Sequence, residues 1–353
     1  MIRLSICIPT YNFAEFIGET LQSILGQSPA GVEVLVLDSG STDATPEIVR
    51  SFQQNFPALQ YYRREKRGGI DKDLAETVSL ARGEYCWLMS SDDTLIPGAI
   101  ARVLDEIGLG HDIYLCNRVE CDRNLLPVKE RPWFPRRVGD SQFDLSARSD
   151  LLAYFDAAQS IGALFSYISS IVVRRSRWDE AGYDEVLGGT NYAHVFRLFS
   201  IARSGGRLKY ISKPLVLCRG DNDSFRDKGQ LNRFLIDLNG YQLLASRCFS
   251  GDEGAEHAFK AVMRREHAWF MLASLRSRVG DTCDWENCEE KLSSYGYSRA
   301  QLRMIRILGT SGPLLSAAQY LRRALAGIKR RVRQVIRKSP HDRVGESRRC
   351  ESE

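Results

Sequence analysis

Tyr85-Cys86-Trp87-Leu88-Met89-Ser90-Ser91-Asp92-Asp93 is an apolar run that stops at two adjacent carboxylates. A short apolar run bounded by polar residues reads as a buried strand, which leaves the aspartates at its carboxyl end with their charges facing outward. Two earlier stretches repeat the pattern. Ile6-Cys7-Ile8-Pro9-Thr10-Tyr11-Asn12 runs from strand into polar turn, and Val34-Leu35-Val36-Leu37 ends in Asp38-Ser39-Gly40-Ser41-Thr42-Asp43. Three such strands describe a parallel sheet whose carboxyl ends form one cleft.

The intervening segments have helical spacing. Phe16, Ile17, Thr20, Leu21, Ile24 and Leu25 recur before Gly26, which predicts a helix over 14–27. A second helix starts after Ser41 or Thr42, with Asp43 and Glu47 early and Ile48, Val49 and Phe52 inward. Leu59 to Arg63 reads as a strand, and Lys72 to Arg82 as a helix closed by Gly83. This alternation predicts right-handed crossovers and a doubly wound, mostly parallel α/β sheet. Further on, a helix to about Ile107, a strand at 113–116, a strand-like 168–173, a helix at 192–203 and a strand-like 208–216 are expected. The stretch from Pro127 to Asp150 reads as a long binding loop, whose Trp133, Phe134 and Arg136 are candidates for choosing the ligand. From Leu231 the pattern is helical. The expected division is a catalytic domain at 1–225, a helical region at 226–312, a basic amphipathic helix at 313–338 and a polar tail at 339–353.

The chain has 353 residues, 43% of them hydrophobic, enough for one large α/β core and a smaller second unit, and too many for a disordered chain. Its first strand begins by Leu4 and meets Pro9 too soon for a secretory apolar region, and no run approaches the roughly 20 apolar residues that span a bilayer. Nine cysteines, an odd number scattered through strands and helices, imply free thiols in a reducing compartment. Cys116 with Cys121, and Cys283 with Cys288, lack the further ligands a structural zinc needs.

The net charge of +5 is unevenly placed: Arg322 to Arg349 carries eleven basic residues against Asp342 and Glu346, about +9. Leu314, Ala318, Leu321, Leu325, Ile328, Val332 and Val335 form one stripe between those charges. This reads as an interfacial helix on an anionic membrane, the alternatives being a helix docked on the body or in a coiled-coil dimer. Nucleic acid is not expected as a partner, since no binding module accompanies the basic residues. A cytoplasmic protein, peripheral on the inner face of the cell membrane, is the expectation.

Adjacent carboxylates at a strand end suit Mg²⁺ or Mn²⁺, hard ions that complete their shell with phosphate oxygens and water. An Asp-Asp turn before a helix is the plainer alternative. Context favours the metal. Pro9-Thr10-Tyr11-Asn12, Asp38 to Asp43, Ala81-Arg82-Gly83-Glu84-Tyr85 and Ser90-Ser91-Asp92-Asp93, in this order over residues 1–220, resemble glycosyltransferase family 2. Gly69-Ile70-Asp71-Lys72-Asp73-Leu74 through Tyr85-Cys86-Trp87 resembles its abequosyltransferase-like branch, which adds deoxysugars during O-antigen assembly.

The resemblance implies the GT-A fold and a nucleotide-sugar donor. It implies a donor site at Pro9, Thr10, Tyr11, Asn12, Asp38, Asp71, Lys72 and Asp92, with Asp38 on the base, Asp92 near the ribose and Asp93 on the metal. It further implies inverting transfer of a sugar, such as a deoxyhexose, to a hydroxyl of a lipid-linked saccharide in cell-surface polysaccharide assembly. Two positions depart from the family. Ser90 stands where an acidic residue is common, and Asn191-Tyr192-Ala193-His194-Val195 stands where an acidic base is usual. His194 is therefore the leading general base and Asp184 its rival, each with a structural alternative. Three other functions remain: a nucleotidyltransferase, which would carry a Gly-rich basic loop after the first strand; a non-catalytic nucleotide-sugar-binding membrane scaffold; and a nucleic-acid-binding protein with an enzyme-like body, which would bind DNA or RNA through the tail in a salt-sensitive way.

Overall fold

The structure, a computed structural model, describes residues 1–27, 30–222, 229–280 and 283–322. The chain divides into two compact units, Met1–Ala268 with Asn287–Tyr297, and Trp269–Glu286 with the residues from Ser298 onward.

In the first unit β1 (Leu4–Thr10), β2 (Val32–Asp38), β3 (Leu59–Arg63) and β4 (Tyr85–Leu88) are parallel. The crossovers between them are α1 (Ile17–Leu25), α2 (Thr45–Asn55) and α3 (Ile70–Ser79). β5 (Thr94–Leu95), α4 (Ala99–Ile107), β6 (Ile113–Cys121), β7 (Pro127–Glu130), β8 (Ser141–Asp144), α5 (Arg148–Ala157), β9 (Ile171–Arg174), α6 (Arg175–Glu180), α7 (Ala193–Arg203) and β10 (Arg207–Cys218) follow. The sheet order is β3-β2-β1-β4-β9-β6-β10-β5, with β7 on β6 and β8 on β10.

Every residue of β1 and β2 is buried, as both faces of a parallel sheet must be covered. The spacing in α1 sends Ile17, Leu21 and Ile24, all 0% exposed, into the core built on Ile6, Ile8, Val34, Val36 and Trp87. Each such burial is worth about 1.5–3 kcal/mol. Gly83 lets the turn before β4 lie on β1, because a Cβ there would sit 2.7 Å from the Ser5 backbone nitrogen. β9 runs antiparallel to both β4 and β6, so the segment before it returns to the carboxyl end of β4.

Two expectations change. The presumed loop from Pro127 to Asp150 contains β7 and β8; β7 is exposed throughout, so no apolar alternation marks it. Its Trp133 and Phe134 are 1% and 0% exposed and belong to the core, not to a ligand surface.

α8 (Gly229–Cys248), α9 (Glu253–Glu266), α10 (Trp269–Val279), α11 (Cys283–Ser294) and α12 (Arg299–Thr310) complete the named elements. α8 and α9 belong to the first unit. There Phe155, Phe199, Phe249 and Phe259 form one aromatic cluster with ring centroids 5.1–5.9 Å apart. In the second unit Ala273, Leu308 and Leu315 pack with Trp269 and Ala318. Residues 312–322 are helical, but Leu315 is buried whereas Leu314 and Leu321 are 51% and 61% exposed, so among the described residues of the expected stripe Ala318 alone lies on the packed face. The rest of the expected basic helix, from residue 323, and the polar tail at 339–353 lie outside the described residues. No helix among the described residues is long and apolar enough to cross a membrane.

Candidate active site

The carboxyl ends of β1, β2 and β4 converge with the segment before β9 and the end of β10. Thr10, at the end of β1, is 4% exposed, and its Oγ1 has no hydrogen-bond partner among the described residues. Tyr11 is half-buried beneath the Arg67 guanidinium, which lies 4.4 Å from its ring centroid. Asn12 takes a left-handed conformation (φ 56°), uncommon outside glycine, and this ties two loops together. Its amide donates to Ser41 Oγ at 2.9 Å, and its Oδ1 accepts from the Thr42 N–H at 2.8 Å. Pro9 is buried inside β1 opposite Leu37, so it shapes the strand and offers no cleft surface.

Asp38, expected to meet the base, is 0% exposed. Its Oδ1 accepts from the Ser41 N–H at 2.8 Å and its Oδ2 from the Tyr61 hydroxyl at 2.7 Å. The carboxylate closes the loop after β2. Asp71, expected at the donor, accepts from the N–H groups of Gly189 and Asn191 at 2.9 Å and of Ala193 at 3.0 Å. It holds the segment leading into α7. Lys72 beside it is exposed. Arg82 pairs with the Glu33 carboxylate at 2.8 Å, away from these loops.

Asp92 and Asp93 are unequal. Asp93 is 2% exposed; its Oδ2 accepts from the Tyr167 and Ser169 hydroxyls, both at 2.6 Å, and its Oδ1 from the Arg219 N–H at 3.0 Å. Burial, then the Asp92 charge beside it, pushes the Asp93 carboxyl well above the usual range, against the pull of those donors. Asp92 is half-buried and receives the Ser90 hydroxyl and the Asn222 amide. Arg219 binds the rear of the pair. Its Nε donates to the Asp92 carbonyl at 2.9 Å, its Nη1 to the Arg123 carbonyl at 2.5 Å, and Nη2 meets the Glu19 carboxylate.

Neither expected base is an open group. His194 is 5% exposed, and its Nε2 donates to the Phe165 carbonyl at 3.0 Å. Burial pushes its pKa down to about 4, so it is a weak proton acceptor. Phe165 lies two residues before Tyr167, so His194 supports the segment that holds Asp93. Asp184 Oδ2 accepts from Arg247 Nε at 3.0 Å, while Oδ1 caps the Val186 N–H at 3.0 Å. The Arg247 contact lowers its pKa.

The glycosyl transferase family 2 model matches residues 5–169. The abequosyltransferase RfbV of Salmonella typhimurium is 35% identical over 312 residues, 87% of this chain and 93% of that protein. This chain belongs to glycosyltransferase family 2. A GalNAc(5)-diNAcBac-PP-undecaprenol beta-1,3-glucosyltransferase of Campylobacter jejuni is 24% identical over 185 residues, 52% of this chain and 57% of that protein. The fold resembles the crystal structure of S. aureus TarS 1-349 in complex with UDP-GlcNAc, with TM-score 0.60, 18% identity and coverage of 87% and 88% of the two chains. The glycosyltransferase sheet is accordingly the GT-A type expected.

Among the described residues of this glycosyltransferase, no group of three or more His, Cys, Asp or Glu side chains is arranged to hold a metal. The donor set is the Asp92–Asp93 pair with the Ser90 hydroxyl. Such a set fits a hard cation that keeps water and takes phosphate oxygens, which needs only one or two protein carboxylates. Of the two, Asp92 is the more exposed and Asp93 the anchor. Tyr167, Ser169, Arg219 and Asn222 were missed from the sequence. Arg219 reaches the pair because β10 runs antiparallel to β5, immediately after Asp93, a register no local pattern shows.

Proposed function

We propose that the chain transfers a sugar with inversion, such as a deoxyhexose, from a nucleotide-sugar donor to a hydroxyl of a lipid-linked saccharide during O-antigen or other cell-surface polysaccharide assembly. The observation that carries this is the unequal aspartate pair after β4, held by Tyr167, Ser169 and Arg219, with the Thr10 hydroxyl, unpartnered among the described residues, at the end of the neighbouring strand β1. The names of the Salmonella and Campylobacter relatives support the sugar class and the lipid-linked acceptor respectively.

In the reaction the acceptor oxygen attacks the anomeric carbon, its proton leaves to a base, and the bond to the nucleoside diphosphate breaks with the electron pair going to the departing phosphate. Thr10, Tyr11 and Arg67 bound the nucleotide, and Asp38 and Asp71 keep the flanking loops in place. Asp92, with Asp93 behind it, would hold Mg²⁺ or Mn²⁺. That ion, when bound, neutralises the developing diphosphate charge.

The donor domain in this reading is residues 1–225, followed by the helical region at 226–312. The basic segment from 313 brings the enzyme to the inner face of an anionic membrane as a peripheral protein. Thermal stabilisation across nucleoside diphosphates and nucleotide sugars, with and without Mn²⁺ or Mg²⁺, tests the donor site. A selective shift supports it; no shift with folded protein refutes it. Deleting residues 313–353 is expected to release the protein from anionic vesicles, and continued tight binding would refute the anchor.

A further inference from the structure

The β6–β10 pairing slips register twice, between Ile211 and Pro214 and again between Pro214 and Val216. Beside this slip lies a pocket of about 250 Å³, lined by Asn117, Tyr210, Ser212 and Pro214 of the two strands and by Glu130 at the end of β7. A bulged ladder leaves backbone groups to satisfy. Asn117 does this with its side chain, donating to the Ser212 carbonyl at 2.6 Å and the Tyr210 hydroxyl at 2.7 Å and accepting from the Trp133 N–H at 3.1 Å. The floor is therefore fixed before any ligand arrives.

Arg118 and the Arg136–Glu130 pair line the pocket with polar groups, while Pro132, Pro135 and Pro214 line it with apolar faces. Arg118 is the link to the active site. Its guanidinium lies 4.6 Å from the Trp133 ring and 4.4 Å from the Tyr167 ring, and the Tyr167 hydroxyl is the one that donates to Asp93. One aromatic ring thus separates the pocket's arginine from the aspartate pair.

The charges say what the pocket takes. Arg118 Nη2 donates to Glu120 at 3.0 Å and Arg136 Nη2 to Glu130 at 3.2 Å, so both cations are already neutralised. A phosphate would have to displace a carboxylate. A neutral polyol would not, since hydroxyls can donate to the carboxylates and accept from the guanidinium N–H groups together. Arg118 Nε is itself buried, with no hydrogen-bond partner among the described residues, so a ligand in the pocket meets the rest of this side chain, which is 17% exposed. Proline rings suit the C–H face of a pyranose.

We propose that this pocket binds a pyranose unit of the acceptor saccharide, with the Arg118 and Arg136 guanidinium groups and their carboxylate partners hydrogen-bonding its hydroxyls. The proposal rests on the glycosyltransferase reading above and names where its acceptor sits.

The test is saturation-transfer NMR of the full chain with the methyl α- and β-glycosides of galactose, glucose, mannose, rhamnose and N-acetylglucosamine. At least one glycoside is expected to receive saturation, and its binding should weaken about tenfold in Arg118→Ala, the loss of a charged hydrogen bond. Arg136→Ala, on an exposed side chain that leaves folding intact, should weaken the same glycoside. Nucleoside diphosphate stabilisation is measured on all three proteins. Its absence in the wild type sinks the donor reading and leaves the sugar result standing by itself. No glycoside signal from the wild type, or an equal signal in both variants, overturns the pocket assignment.

Discussion

The Asp71 carboxylate and the Ala193 amide are joined by a 3.0 Å hydrogen bond, and the same carboxylate holds the N–H groups of Gly189 and Asn191. The first turn of α3 thereby fastens the loop that enters α7. Asn191 sits there at φ 70°, a conformation that this anchoring sustains. Asp71→Ala removes the acceptor from three partly buried donors and should cost roughly 2–4 kcal/mol in denaturant unfolding. Asp71→Asn keeps one acceptor oxygen and should cost less. Equal, negligible losses in both would mean the loop is held by other contacts.

His194 predicts a pH dependence. Burial lowers its folded pKa to about 4 from the ordinary 6.5, and His267 is lowered to about 4 by burial and then by Arg233 and Arg131. Between those values the unfolded chain binds more protons at these two histidines than the native one, so their contribution to stability falls as pH drops from about 6.5 toward 4 and is level above it, while the raised Asp93 carboxyl contributes with the opposite sign. Each histidine adds a slope approaching about 1.4 kcal/mol per pH unit. His194→Gln should remove close to half of the histidines' contribution, seen as a smaller loss of stability between about pH 6.5 and 4 than in the wild type, while leaving turnover within about tenfold at pH 7, because a positioning residue is not the proton acceptor. A turnover loss of about a thousandfold with unchanged stability would restore His194 as the base.

What the sequence shows and what it hides follow one physical line. β1, β2, β3 and β4 are visible because each is a short apolar run bounded by polar residues, and α1 because its buried positions recur every three or four residues. Trp133 and Phe134 misled because an aromatic pair between prolines looks the same whether it faces a ligand or a core; only the pairing of β7 and β8 with the sheet decides. Asp92 and Asp93 stand out in the sequence by their place at a strand end. Tyr167 and Arg219, which set the chemistry of that pair, come from segments made adjacent by antiparallel pairing and carry no local signature. His194 stands out for its place near the start of α7, and what the sequence does not show is its hydrogen bond to the Phe165 carbonyl.

Arg219 spans Asp92, Arg123 and Glu19 with a side chain only 3% exposed. Lysine keeps the charge but cannot supply the same fork of donors. Arg219→Lys should therefore lower the melting temperature and weaken nucleoside diphosphate binding about tenfold, since each charged hydrogen bond lost is worth about 1.5–3 kcal/mol. Calorimetric titration with the best nucleoside diphosphate measures this. Wild-type affinity in Arg219→Lys would show that the rear of the aspartate pair does not govern the front.

Asp92→Asn and Asp93→Asn should fail in different ways. Asp93 is buried and accepts from three donors, so its amide leaves at least one donor facing an N–H₂ group, and the apo protein should melt lower. Asp92 is half-buried with fewer ties, so Asp92→Asn should melt close to the wild type. Both should lose turnover and the part of diphosphate stabilisation that needs Mn²⁺ or Mg²⁺, because either change removes one of two charges available to the cation. Thermal shifts recorded with and without ion separate the effects. If Asp92→Asn keeps the full ion-dependent shift while Asp93→Asn loses it at an unchanged apo midpoint, the exposed carboxylate is not the ligand and the buried one is. That result would require the Tyr167 and Ser169 hydroxyls to release Asp93 when the ion binds.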